Sequence, residues 1–168
     1  MTPDRIEKQV LLRAPLQRVW EAISDSKQFG YWFGVEFEGP FVAGAAMTGL
    51  VTPTRVDSEI AKHQVPHAGK PFRFAIERIE PPRLFSFRWH PFAVEPGRDY
   101  SAEPTTLVEF RLQATPDGTL LTVSESGFDQ IPLERRAQAF QADDYGWTMQ
   151  AMLIRKYLEL DPPPAIGS

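Results

Sequence analysis

Apolar and polar positions alternate along this chain in two rhythms, one of two residues and one of three to four. Ile6, Val10 and Leu12 fall on one face of a strand over 6–13, with Glu7, Gln9 and Arg13 on the other. Ala14-Pro15 then opens a helix, proline being preorganised for the first helical position. Leu16, Val19, Trp20 and Ile23 make its buried stripe. Ser24-Asp25-Ser26 stops that helix and supplies cap oxygens for a second, short one. Phe29, Trp32 and Phe33 form the apolar side of the second helix, and Gly30 and Gly34 limit its length. Short strands are expected over 35–38 and 45–51. The polar stretch 53–70 has no strong period and reads as a long loop with a helical turn near 57–62.

Alternation is clearest in the next four segments. Phe72, Phe74 and Ile76 oppose Arg73 and Glu77, and Phe85, Phe87 and Trp89 oppose Ser86 and Arg88. Val108, Phe110 and Leu112 oppose Glu109 and Arg111, and Leu121 and Val123 oppose Thr122 and Ser124. Pro81-Pro82 and Pro116-Asp117-Gly118 mark turns, so successive strands pair antiparallel. From Pro132 onward, Leu133, Ala137, Phe140, Asp144, Trp147, Ala151, Ile154 and Leu158 advance by alternating steps of four and three. That is a helical stripe, apolar at every step but Asp144. Gly146 weakens its middle by about 1 kcal/mol relative to alanine, so a bend or break is expected there. Asp161 and the three prolines after it end the helix, and a short disordered tail is expected over 161–168. The whole reads as one α+β domain over 1–168, with its core at about 6–160. A curved antiparallel β-sheet wraps around a long C-terminal α-helix, two short helices follow the first strand, and an apolar pocket lies between sheet and helix.

Composition narrows the function classes. The 168 residues are 42% hydrophobic and 24% charged, the balance of a globular domain long enough to bury a core. The net charge is −4 with no run of Lys and Arg, so neither nucleic acid nor a membrane surface is an expected partner. The absence of cysteine excludes disulfides, thiolate metal sites and a thiol nucleophile. No signal peptide and no membrane span is read at either rhythm, which makes a cytoplasmic location the expectation.

The order of elements resembles the helix-grip, START-like (SRPBCC) superfamily, and local motifs narrow the likeness. Ala14-Pro15-Leu16-Gln17-Arg18-Val19-Trp20 resembles the start of its first helix, and Phe29-Gly30-Tyr31-Trp32-Phe33 the segment after it. Ser126-Gly127-Phe128 and Gly146-Trp147, with Ile154 further along, are similar to signatures of the homologues of the activator of the ninety-kilodalton heat-shock protein ATPase. The likeness spans about 6–160; where the Ser-Gly-Phe motif is often preceded by His, this chain has Glu125. It implies the helix-grip fold, and for function either an internal-cavity binding domain, a co-chaperone-like interaction module linked to stress response, or a cyclase- or hydratase-like enzyme.

Four tryptophans and many of the 12 phenylalanines lie on inward faces. Such rings pack a core, or they wall a cavity left where a sheet bends around a helix. Trp32, Phe33, Phe74, Phe87, Trp89, Tyr145 and Trp147 are the wall candidates, with Ala151 on the same helical stripe. Glu125 shares a strand face with Leu121 and Val123, and Asp144 the helical stripe of Phe140 and Trp147. A carboxylate in such a setting needs a partner or a task; the alternative is that one sits at a solvated strand end and the other at a helix break. Arg88, His90, Arg98, Asp99 and Tyr100 form a polar cluster, either a solvated loop or a rim orienting an anion. His63 and His67 have metal-ligand spacing on a helix, but Pro66 between them breaks one. No GxSxG, GxGxxG or P-loop occurs.

The expectation is therefore a non-catalytic domain that binds a small hydrophobic or amphipathic ligand in an internal cavity, without metal or cofactor, as a monomer or homodimer. The alternatives are a chaperone-binding module and an enzyme using Glu125 or Asp144.

Overall fold

The computed structural model describes residues 4–160 other than 94 and 96, together with 163, 164 and 166. Strand β1 (Arg5–Leu12) is followed by helices α1 (Leu16–Ser24) and α2 (Ser26–Phe33), then strands β2 (Val35–Glu36) and β3 (Ala46–Val51). Helix α3 (Ser58–Gln64) precedes four long strands, β4 (Pro71–Glu80), β5 (Leu84–Trp89), β6 (Thr106–Thr115) and β7 (Gly118–Ser126). Helix α4 (Leu133–Leu158) completes the domain. The helix-grip architecture read from the sequence is the architecture observed. The tail expected over 161–168 lies largely outside the described residues, although Ile166 rests against the core.

All seven strands form one antiparallel sheet in the order β1-β7-β6-β5-β4-β3-β2. A register shift between Ile76 and Arg78 puts a bulge in β4, the kind of irregularity that bends a sheet. Across the inner face runs the row Ile76, Phe87, Val108, Glu125 and Ile6, each residue opposite the next. Four members of that row are apolar and the fifth is a fully buried carboxylate.

The two short helices join at one residue. Asp25 leaves α1 in an extended conformation and caps α2, its carboxylate accepting from the Lys27 amide at 3.0 Å. Trp32 Nε1 donates to the Ala22 carbonyl at 2.9 Å, locking α2 to α1. Gly34 ends α2 at φ 95°, a left-handed turn that a side chain would strain. Around the same helix the aromatic core is dense. The Phe29 ring lies 4.7 Å from that of Phe33, 6.4 Å from Phe85 and Phe87, and 6.0 Å from Phe110.

Helix α4 departs from its sequence reading in two ways. It runs uninterrupted for 26 residues through Gly146, so the expected break does not occur. Its buried positions are Arg135, Ala139, Trp147, Leu153, Ile154 and Tyr157, whereas Leu133 is 76% exposed. The inward face therefore follows a straight 3.6-residue pitch, rotated in the first half from the stripe that starts at Leu133. The polar stretch 53–70 holds α3 and a 3₁₀ turn, Val65–His67. Asp57 caps α3 by accepting from the Glu59 and Ile60 amides, and Ile60 is its buried residue.

Candidate functional site

Where the aromatic core ends, space begins. A cavity of about 390 Å³ lies between α3, α4 and the neighbouring ends of β4 and β5. That is more than ten times the volume of a water molecule and within the usual size of small-molecule sites. The sheet side contributes Phe72, Phe74 and Trp89, and the end of α2 contributes Phe33. Helix α3 contributes Ile60, His63 and Gln64. Helix α4 closes the opposite side with Asp143, Gly146, Trp147, Met149 and Gln150, while Tyr145, 58% exposed, marks the open rim.

Glu125 stands behind this wall and ties it together. Its Oε1 accepts from Trp147 Nε1 at 2.8 Å, and its Oε2 accepts from Trp89 Nε1 at 2.8 Å and from the Thr106 hydroxyl at 2.5 Å. Three donors compensate a carboxylate that would be prohibitive to bury alone. They come from β5, β6 and α4, so one side chain on β7 joins the sheet to the helix and holds two indoles at a centroid separation of 5.7 Å.

Asp143 faces Glu125 from α4. Burial, and then the negative charge of Glu125 and a hydrogen bond to it, hold the Asp143 carboxyl well above the usual carboxylate range, with Arg135 acting in the opposite sense. Its Oδ2 is buried with no hydrogen-bond partner among the described residues. Gln150, two turns on, donates Nε2 to the Phe33 carbonyl at 3.0 Å, which leaves its Oε1 buried without a donor among the described residues. Each such orphan costs about 1–3 kcal/mol.

Arg135 arranges the loop above. It pairs with Glu103 at 2.8 Å, donates to the Pro91 carbonyl at 2.8 Å and lies over the Tyr100 ring at 4.8 Å. Phe92, a cavity residue, is held there at φ 49°, a conformation rare for a bulky side chain. The polar cluster of Arg98, Asp99 and Tyr100 belongs to a second, more charged depression of about 440 Å³ that Phe72 and His90 separate from the first. His67 is held below the usual imidazole range by burial and then by the Lys70 charge. Among the described residues no group of His, Asp and Glu is placed to hold a metal ion.

Of the wall candidates, Phe33, Phe74, Trp89, Tyr145 and Trp147 line the cavity. Trp32 and Phe87 are buried in the filled part of the core, and Ala151 is half-buried on α4 outside the lining. Glu125 is fully buried, not at a solvated strand end. Asp144 is the clearest correction. Its carboxylate is 48% exposed and pairs with Lys8 on β1 at 2.9 Å. Its neighbour Asp143 takes the inward place, because one residue turns the helix by about 100°. Asp143 and Gln150 were both missed, yet they stand at i−4 and i+3 from Trp147.

The fold places this chain among known structures. DynU16, a protein of the dynemicin biosynthetic locus, superposes with a TM-score of 0.67 at 25% identity, covering 96% of this chain but only 49% of that one. MLL2253 from Mesorhizobium loti gives 0.67 at 17% identity, with 92% and 96% of the two chains covered. The Aha1 dimer from Colwellia psychrerythraea gives 0.64 at 13% identity, covering 94% and 98%. The chain thus spans about half the length of DynU16. No curated protein matches it in sequence, and among the described residues no helix is long and apolar enough to cross a membrane. The family model described as activator of Hsp90 ATPase homolog 1-like protein matches residues 13–159, and the chain belongs to that family.

Proposed function

We propose that this domain binds a small apolar or amphipathic ligand in the cavity between α3, α4 and the sheet, without catalysing its conversion. The observation that carries the reading is an unfilled space of about 390 Å³ beside an otherwise interlocked aromatic core. Aromatic walls with a few polar groups suit burial of apolar ligand surface, worth about 25 cal/mol per Å². The acid–base alternative loses Asp144, which lies in a surface ion pair, and the inward carboxyls that remain bond to each other and to indoles.

Native mass spectrometry of the protein after incubation with a metabolite mixture tests the reading. Retained compounds are expected for the unaltered chain. They should be absent from Gly146→Leu, which places a side chain at a cavity-lining position where an added Cβ meets nothing within 4 Å. Equal retention by both proteins, or none by either, refutes it.

A second reading is a chaperone-binding module, favoured by the family description alone. Pull-down with the heat-shock chaperone and its ATPase rate separate the two. Stimulation that survives Gly146→Leu supports the module.

A further inference from the structure

We propose that the ligand's polar end is a hydrogen-bond donor rather than an anion, a hydroxyl, primary amide or amine accepted by Gln150, and that the Asp143–Glu125 pair disfavours carboxylates. The inference rests on the cavity's being a ligand site and names the chemistry of that ligand.

Gln150 supplies the first half of the argument. The Phe33 carbonyl can only accept, so it fixes which end of the Gln150 amide turns to it. Gln64 Nε2 donates to the same carbonyl at 3.1 Å. With Nε2 committed, Gln150 offers the site an acceptor, and its Oε1 is buried without a donor among the described residues. A ligand hydroxyl or amide N–H answers it, whereas a carboxylate or ether oxygen meets it with a second lone pair.

The charges around the cavity supply the second half. Behind the wall Glu125 accepts from two indoles and a hydroxyl, all neutral, and Asp143, which lines the cavity, is hydrogen-bonded to it in turn. The Arg135 guanidinium pairs with Glu103 at 2.8 Å and lies outside the lining; its Nη2 is buried without an acceptor among the described residues, and its charge acts on Asp143. Lys8 reaches Asp144 across the contact of β1 with α4 and is not a cavity residue. His67, the imidazole in the wall near α3, is disfavoured from protonation by burial and then by the Lys70 ammonium beside it. His63 and His90 also reach the cavity from its rim and from the end of β5. An anionic head seated against α4 therefore meets the Asp143 carboxyl, with Glu125 behind it, and none of the α4 residues that line the cavity is a cation.

Quenching of tryptophan fluorescence by octanol, octanamide, octanoate and octylamine at neutral pH tests this with one chain length and four head groups. Octanol and octanamide are expected to bind at least tenfold more tightly than octanoate, and octylamine, also a donor, more tightly than octanoate. Gln150→Leu, checked for an unchanged circular dichroism spectrum, should lower octanol affinity about tenfold. Octanoate binding as well as or better than octanol overturns the head-group assignment, as does an unchanged octanol affinity in Gln150→Leu; either leaves the cavity as a ligand site. Failure of all four compounds to bind removes the ligand site itself.

Discussion

Glu125 shows how one residue can be both legible and under-read. Its alternation with Leu121 and Val123 points it inward, and its burial follows. Its donors come from segments distant in sequence, at Trp89, Thr106 and Trp147, and strand alternation carries no record of them. Replacing Glu125 by alanine strands three buried donors and opens a gap, so a loss of about 3–5 kcal/mol is expected in urea unfolding. A loss under 1 kcal/mol would mean that the indoles find other partners. Asp143 and Asp144 mark the limit of a stripe drawn by eye. Both are within one turn of Trp147, and only the accumulated pitch of the helix decides between them. Because the Asp143 carboxyl is raised above its unfolded value of 3.8, the native state holds its proton more firmly than the unfolded chain. Its contribution to stability is complete below that unfolded value and is lost as pH rises through the folded one. Thermal unfolding across pH should show this decline in the parent and a flatter profile in Asp143→Asn; parallel profiles would refute it.

At the scale of elements, strand phases and turns were plain because each strand has one wet face and one dry one. Helix α3 was reduced to a turn because Ile60 alone is buried along its length, so no apolar stripe announces it; the Asp57 cap was its signal. The opposite error arose at Gly146. Intrinsic propensity argues for a break, but Arg135 and Ala139 before the glycine and Trp147, Leu153 and Ile154 after it anchor α4 on both sides of any bend. Two glycines then make contrasting predictions. Gly146→Ala meets open space in a helix interior and should stabilise by about 0.5–1 kcal/mol. Gly30→Ala drives a Cβ into the Val35 carbonyl oxygen, where neither backbone can yield easily, and should cost about 1–3 kcal/mol. Chemical denaturation of both variants checks the signs, and a stabilised Gly30→Ala would contradict the packing of α2 on β2.

For the molecule as a whole, sequence periodicity located the aromatic residues on inward faces but not the division between filled and unfilled space. Phe29 fills the region it centres, and no pattern at the level of residues reports that its rings stop short of α3. A cavity that accepts a ligand also links binding to folding. Saturation at a hundred times the dissociation constant adds about 2.7 kcal/mol to stability, which in a domain of this size raises the melting temperature by roughly 5–10 °C. A compound retained in the mass spectrum that leaves the melting temperature unchanged at such an excess would be bound elsewhere and weakly.

The two indoles gripped by one carboxylate lie 5.7 Å apart and tilted by 33°. At that separation their electronic transitions mix, and the chiral pair should produce an exciton couplet in circular dichroism. Trp89 belongs to the sheet and Trp147 to the long helix, so the couplet is an optical gauge of their apposition. If the helix lifts from the sheet before either melts, the couplet should vanish while the peptide bands persist.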